Sequence, residues 1–234
     1  MSDERALRAQ MVEVGRRLWL RGLIAGAEGN FSARLDGQRL LCTPSGLNKG
    51  FLRDEDLVVT DLCGVQLFAA APAGGEAGQP DAVRAPSTEL LLHLACYQER
   101  SDCLAVVHAH PPHAVALTLA GEALVPCLPE AVTALGPVPT APYATPGGAQ
   151  VAEAVRPFLR DAACVLLERH GALAISFAAD ARTALTDACD KLEMLEAVAR
   201  VQLLSGLRRP VTALPDEALR ALRRPAPRRP SALE

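Results

Sequence analysis

Apolar residues recur along this chain with two different periods, and the change from one to the other marks its elements. Leu7, Met11, Val14 and Leu18 repeat at the spacing of one helix face, which predicts an amphipathic helix that Gly22 is placed to stop. The pattern then shortens. Phe31–Leu35 and Arg39–Cys42 flank Asp36-Gly37, a dipeptide suited to the positive backbone angles of a tight hairpin. Leu57–Thr60 and Val65–Ala69 repeat the arrangement around Cys63-Gly64, so a second antiparallel pair is expected.

From Ala71 to Pro86 there is no periodicity, only glycine, proline, alanine and polar residues, and the segment reads as a mobile connection. Helical spacing resumes from Thr88 to Tyr97 through Leu91, Leu92 and Ala95. Cys103–His108 is an apolar run of strand length, Pro112–Ala120 a short helix opened by proline. Gln150–Leu159 is a further helix interrupted at Pro157, and Cys164 starts another apolar run that closes at His170. A long helix is predicted from about Asp180, suited as its N-cap, through Leu185, Leu192, Leu195 and Val198 to about Leu204. Two hairpins followed by alternating helices and strands predict an α/β (α+β) fold. Its central, largely antiparallel sheet is flanked by helices and is not a parallel doubly wound one.

With 234 residues, half of them apolar, the chain can bury one substantial core. One domain is expected over residues 1–207. Residues 208–234 form an Arg/Pro-rich tail with seven arginines against Asp216, Glu217 and Glu234, a composition of a flexible or loosely docked arm. A net charge of −3 calls for no nucleic-acid partner. No secretory leader and no apolar stretch of membrane-spanning length is read, so no membrane partner is expected. Seven cysteines, an odd number without a Cys-x-x-Cys pair, fit reduced thiols in a cytoplasm.

Chemistry concentrates at Val107-His108-Ala109-His110-Pro111. Residues i and i+2 of a strand share a face, so a strand ending here projects both imidazoles into one pocket, a ready-made metal pair. A catalytic zinc takes three protein ligands at roughly 2.0–2.1 Å and keeps one position open. His170, closing the similar apolar run, is the third ligand in this reading; His93, inside a helical pattern, and His113, beside two prolines, are structural or peripheral. His-x-His alone fits a bare strand end equally well. A base is wanted beside such a metal, and Glu89 follows Ser87 and Thr88, either of which could cap a helix and set the carboxylate against its free amides. In isolation an ordinary first-turn glutamate that stabilises its helix is the favoured reading. Gly29-Asn30-Phe31-Ser32 and Thr43-Pro44-Ser45-Gly46 have the composition of an anion cradle, without the spacing of a nucleotide-triphosphate loop. Lys49 follows closely and would add charge, although a solvent-exposed lysine is the simpler expectation.

Taken in order, Gly29-Asn30-x-Ser32, Thr43-Pro-Ser45-Gly46, Pro86-Ser87-Thr88-Glu89, His108-Ala-His110 and His170-Gly171 resemble the class II aldolase/adducin family, with its fuculose-1-phosphate aldolase-type sugar-phosphate lyases, over about residues 5–205. The resemblance implies a three-layer sandwich assembled as a homotetramer. It implies one divalent metal per subunit, Zn²⁺ first and Mn²⁺ or Co²⁺ as alternatives, held by His108, His110 and His170. Glu89 would be the acid/base and a ligand before substrate arrives, and Asn30, Ser45, Gly46, Ser87 and Thr88 would surround a sugar phosphate. The chain departs from the pattern where the fuculose enzymes offer a neighbouring subunit's tyrosine to the aldehyde oxygen. Glu130 stands at that place as a second acid/base, and only Tyr97 and Tyr143 exist in the chain.

Aldol cleavage of a ketose 1-phosphate of fuculose, ribulose, 5-deoxyribulose or methylthioribulose type to dihydroxyacetone phosphate and an aldehyde is the first expectation. Decarboxylation of a 3-oxo-tetronate 4-phosphate, or dehydration of methylthioribulose 1-phosphate, on the same metal site is the second. A non-catalytic, adducin-like interaction module is the third, and the retained histidines and Glu89 speak against it. The related epimerases usually carry aspartate at the position of Glu89.

Overall fold

The computed structural model describes residues 2–67 and 84–222. Helix α1 (Ser2–Leu20) buries the foreseen stripe of Leu7, Met11, Val14 and Leu18. Gly22, at φ 69°, turns the chain out of it, a left-handed angle that glycine takes without a Cβ clash. Strands β1 (Asn30–Arg34) and β2 (Arg39–Cys42) form the predicted hairpin, whose turn is held by Asp36 Oδ1 accepting from the Gln38 and Arg39 amides. Strand β3 (Val58–Asp61) pairs with β2. The expected partner at Val65–Ala69 is reduced, among the described residues, to a bridge between Thr60 and Gln66. There the Asp61 carboxylate bends the chain by accepting from Cys63 and Val65. Most of the predicted connection Ala71–Pro86 lies outside the described residues.

Next come α2 (Leu90–Glu99), β4 (Ala105–Ala109) and α3 (Pro112–Leu119). They are followed by α4 (Pro129–Leu135), β5 (Thr140–Ala141) and α5 (Ala149–Val155). α4 was not foreseen, because Pro129 at its first position disguises a helix start as a proline-rich loop. α5 tightens into a 3₁₀ turn at Arg156–Phe158, where Pro157 lacks an amide hydrogen. Strands β6 (Cys164–Leu167) and β7 (Gly171–Ser176) lead to the long α6 (Ala181–Gly206), capped by Asp180 as expected. The tail, read from sequence as a loose arm, carries the exposed helix α7 (Asp216–Leu222), reached through a Leu214 amide bond to the Pro126 carbonyl at 3.0 Å. Residues 223–234 lie outside the described residues.

The seven strands are ordered β3-β2-β1-β4-β7-β6-β5, every neighbouring pair antiparallel except β5–β6. The largely antiparallel mixed sheet is therefore as predicted. Side chains alternate between two cores. Phe31, Ala33, Ala105, Val107 and Ala109 join the one built on α1 and α6, whereas Val106, Val165 and Leu173 join the one beneath α2 and α5. Period 2 then puts Asn30, Ser32 and His108 on the α2 side. Central β4, fully buried, brings its C-terminal end against the start of α2.

Candidate metal centre and anion cleft

His108 ends up directly opposite Asn30 on β1 and Leu173 on β7, and His110 follows just past the end of β4. His170 sits in the β6–β7 turn, closed by the Leu167–Gly171 pair. Arg169, before it, adopts φ 60°, a strained angle for a side-chain-bearing residue, and its amide is tied to Thr118 Oγ1 at 3.0 Å. The three rings meet with centroids 4.8–5.0 Å apart. Glu89 completes the cluster, and one ligand atom from each of the four residues lies within 4.8 Å of all the others.

The donor set fits a cation. His108 Nδ1 lies 3.0 Å from the Ala172 carbonyl and His110 Nδ1 lies 3.1 Å from Glu28 Oε2. Both partners accept only, so each Nδ1 carries the hydrogen and each Nε2 presents a bare lone pair. Those two Nε2 atoms face each other at 3.0 Å, an arrangement that repels unless a positive charge stands beside both. Glu89 approaches with Oε2 3.4 Å from His108 Nε2 and Oε1 3.3 Å from His170 Nε2; Oε1 is buried without a hydrogen-bond partner. Ligands at 2.0–2.1 Å in a tetrahedron are separated by about 3.3 Å; the His108–His110 spacing and the two Glu89–imidazole spacings are of that size.

Electrostatics agree with that assignment. Burial, opposed by Glu89, pulls the His108 imidazole down to about 3, and burial also lowers His110. Both imidazoles are neutral at neutral pH, the form in which they could bind a cation. Burial works to raise the Glu89 carboxyl, yet the His170 imidazole, the field of His108 and the Asn30 amide outweigh it and hold the group well below the usual carboxylate range. Glu89 is thus ionised at neutral pH.

A cleft of about 340 Å³ opens beside the cluster and is lined by Asn30, Ser45, Gly46, Ser87, Thr88 and Glu89, with His110 and His170 at its metal end. Two loops meet to make it. Pro44 bridges to Pro86, the Ser45 amide bonds the Ala85 carbonyl at 2.9 Å and the Ser87 amide bonds the Thr43 carbonyl at 3.2 Å. Gly46 takes φ 73°, which leaves the turn open for backbone approach. Asn30, Ser45, Gly46, Ser87 and Thr88 therefore line one cleft, whereas Ser32 and Thr43 are buried outside it.

Two expectations change. Glu89 is itself the N-cap of α2, so its carboxylate faces Asn30 and the histidines instead of the helix amides; Ser87 Oγ accepts from the Glu89 amide at 3.2 Å. Lys49 is not solvent-exposed. It is 2% exposed, lines the cleft, and donates to the carbonyls of Ala27 and Leu47 at 2.6 and 2.8 Å, tying the two cradle loops together. Burial lowers its pKa, with Glu89 acting the other way. Glu130 is exposed on α4 and is not among the residues lining this subunit's cleft. His113 pairs with Glu196 at 2.7 Å, away from the cluster. Glu28, which orients His110, was missed, since it lies in the aperiodic loop Ala25-Gly26-Ala27-Glu28-Gly29.

The chain matches the model of the class II aldolase and adducin N-terminal domain over residues 9–203. It is 35% identical over 233 residues to 3-oxo-tetronate 4-phosphate decarboxylase of Cupriavidus necator, covering 95% of this chain and 97% of that one. It is 30% identical to 5-methylthioribulose-1-phosphate/5-deoxyribulose-1-phosphate aldolase of Escherichia coli, covering 72% and 73%. Among solved structures, YgbL of Klebsiella pneumoniae, described as an aldolase/epimerase/decarboxylase, superposes with a TM-score of 0.80 at 30% identity, covering 94% of this chain and 99% of that one.

Proposed function

This chain belongs to the class II aldolase and adducin family of lyases, and on that premise we propose that it decarboxylates a 3-oxo-tetronate 4-phosphate to dihydroxyacetone phosphate. The observation that carries the choice is the makeup of the cleft. Among the described residues neither tyrosine lines it: Tyr97 is buried against Ser32, and Tyr143 is exposed elsewhere. Aldol cleavage requires a group to take the proton from the hydroxyl that becomes the aldehyde, whereas carbon dioxide leaves a carboxylate without proton transfer. One subunit therefore holds enough for decarboxylation. The similarity to the decarboxylase over nearly its whole length supports the same reading.

A divalent ion on His108, His110 and His170, zinc by ligand type, would supply a Lewis acid for the substrate's ketone and neighbouring hydroxyl oxygens. Asn30, Ser45, Gly46, Ser87 and Thr88 take the phosphate, and the buried Lys49 ammonium adds positive potential behind them. Cleavage of the C1–C2 bond leaves its electron pair on C2 and the C3 oxygen as an enediolate. A proton taken up from solvent and passed to C2 by Glu89 gives dihydroxyacetone phosphate and leaves the carboxylate ionised again. Aldol cleavage of a ketose 1-phosphate passes through the same enediolate, and the similarity to the 5-deoxyribulose-1-phosphate aldolase favours it as the second reading. It would need a proton acceptor from a neighbouring subunit in a tetramer, the role proposed for Glu130. Seven free cysteines, and no described helix long and apolar enough to cross a membrane, support a cytoplasmic setting.

The test is product analysis. Metal-replete protein is incubated with 3-oxo-tetronate 4-phosphates and, separately, ketose 1-phosphates, and carbon dioxide and dihydroxyacetone phosphate are followed independently. Equal release of both from the oxo-tetronates is expected; dihydroxyacetone phosphate formed from ketose 1-phosphates alone would replace decarboxylation with aldol cleavage.

A further inference from the structure

Behind Glu89 runs a buried line of polar side chains, of which the proposed chemistry uses only Asn30. Tyr97 and His93, on the inner face of α2, meet Ser32 and Asn30 on β1. Tyr97 OH lies 2.9 Å from Ser32 Oγ, which is 2.6 Å from His93 Nδ1. His93 Nε2 is 2.6 Å from Asn30 Oδ1, and Asn30 Nδ2 donates to Glu89 Oε2 at 2.8 Å. None of the first four residues is more than 5% exposed.

The direction of these bonds follows from Glu89. An ionised carboxylate only accepts, so Asn30 must turn its amide nitrogen toward it and its carbonyl toward His93. His93 must then donate from Nε2, which in a neutral ring leaves Nδ1 to accept from Ser32. The serine in turn accepts from Tyr97. Burial keeps the ring neutral, with its pKa pulled down to about 4. The two ends of an asparagine amide have the same shape, and only the neighbours decide which one faces outward. Without His93, the Asn30 carbonyl could swing to Glu89 and set lone pair against lone pair.

We propose that His93, backed by Ser32 and Tyr97, is a positioning residue that fixes the Asn30 amide and thereby commits Glu89 Oε2 to the protein, leaving Oε1 alone for the metal and the substrate. Oε1 is the atom that has no hydrogen-bond partner in the structure, with only His170 Nε2 facing it at 3.3 Å. Proton transfer through Oε2 would require Asn30 to let go. The inference deepens the proposed function, since the same line would serve decarboxylation and aldol cleavage.

The experiment has a readout that needs no turnover. Infrared bands that disappear in Glu89→Gln identify the Glu89 carboxylate, and these should shift in metal-loaded His93→Leu while staying near their wild-type position in His93→Gln, whose amide can still donate to Asn30. On the activity side, His93→Leu should lower kcat about 10–100-fold with KM little changed. In a Glu89→Gln background, where there is no base left to position, it should cost almost nothing further. Unshifted bands, or an equal further loss of kcat in the Glu89→Gln background, would overturn the positioning role. Poor folding of the leucine variant would be visible in its melting temperature, and Ser32→Ala, one step further from Glu89, would then carry the same comparison. Shifted bands in a protein that turns over none of the substrates would leave the relay standing and remove the proposed function.

Discussion

Gly171 should be the least replaceable residue of the site that touches no substrate. A Cβ built there falls 2.4 Å from the Ala109 carbonyl oxygen, 2.9 Å from His110 Cδ2 and 3.0 Å from His108 Cε1. Carbon–oxygen contacts between strands settle near 3.3–3.6 Å, so Gly171→Ala must push β7 from β4 by roughly 1 Å or turn the rings. The nearest obstacle is backbone in a fully buried strand, and the other two are rings of the candidate metal cluster. Overpacking of this kind costs about 1–3 kcal/mol, a fall of roughly 3–10 °C in melting temperature for a chain of this size. A 1 Å misplacement costs on the order of 10²-fold in rate. Metal affinity by competition with a chromogenic chelator, metal content by elemental analysis, and kcat are the measurements. Gly37→Ala, where nothing lies within 4 Å of the added carbon, is the control and should behave as wild type. A Gly171→Ala protein with unchanged metal affinity and rate would refute the crowding argument.

Glu89→Gln keeps the shape and the N-cap position but removes the base, so kcat should drop by about 10²–10⁴-fold while melting temperature changes little; near-parental turnover would send the search to Glu130. Lys49→Met removes a buried charge at nearly constant volume, and inorganic phosphate should then inhibit more weakly and KM should rise more than kcat falls, both read from steady-state kinetics. His93 is neutral in the fold down to about pH 4 but titrates near 6.5 in an unfolded chain. The unfolded state therefore binds more protons between these values, and stability should fall by up to about 3 kcal/mol as pH drops through that window. His93→Gln should lessen that slope in urea titrations of metal-free protein, the part due to the lowered His108 and His110 remaining. If Glu130 reaches a neighbouring subunit, inactive Glu130→Ala and His110→Ala chains refolded together should regain partial activity; a tetramer without complementation would take Glu130 out of catalysis.

The alternation of apolar and polar residues by itself determined which side chains could share a face. Asn30 and Ser32 land on one side of the sheet because successive residues of a strand point oppositely, a consequence of covalent geometry that needs no partner, and His108 joins them through the pairing of β4 with β1. The helices at Leu7–Leu18 and Asp180–Leu204 were legible for the same local reason. Sequence also assembled the anion residues, but only as motifs in order; their common wall exists because Pro44 bridges to Pro86. What the tertiary structure alone decided is which faces meet. His170 reaches His108 through the antiparallel pairing of β4 with β7, and Lys49 is buried because the Ala27 and Leu47 carbonyls close over its ammonium. Glu28, in an aperiodic loop, becomes a ligand's partner only once His110 is placed. Such contacts join segments tens of residues apart. Their energy depends on the packing of the whole core, which no local period in the chain records.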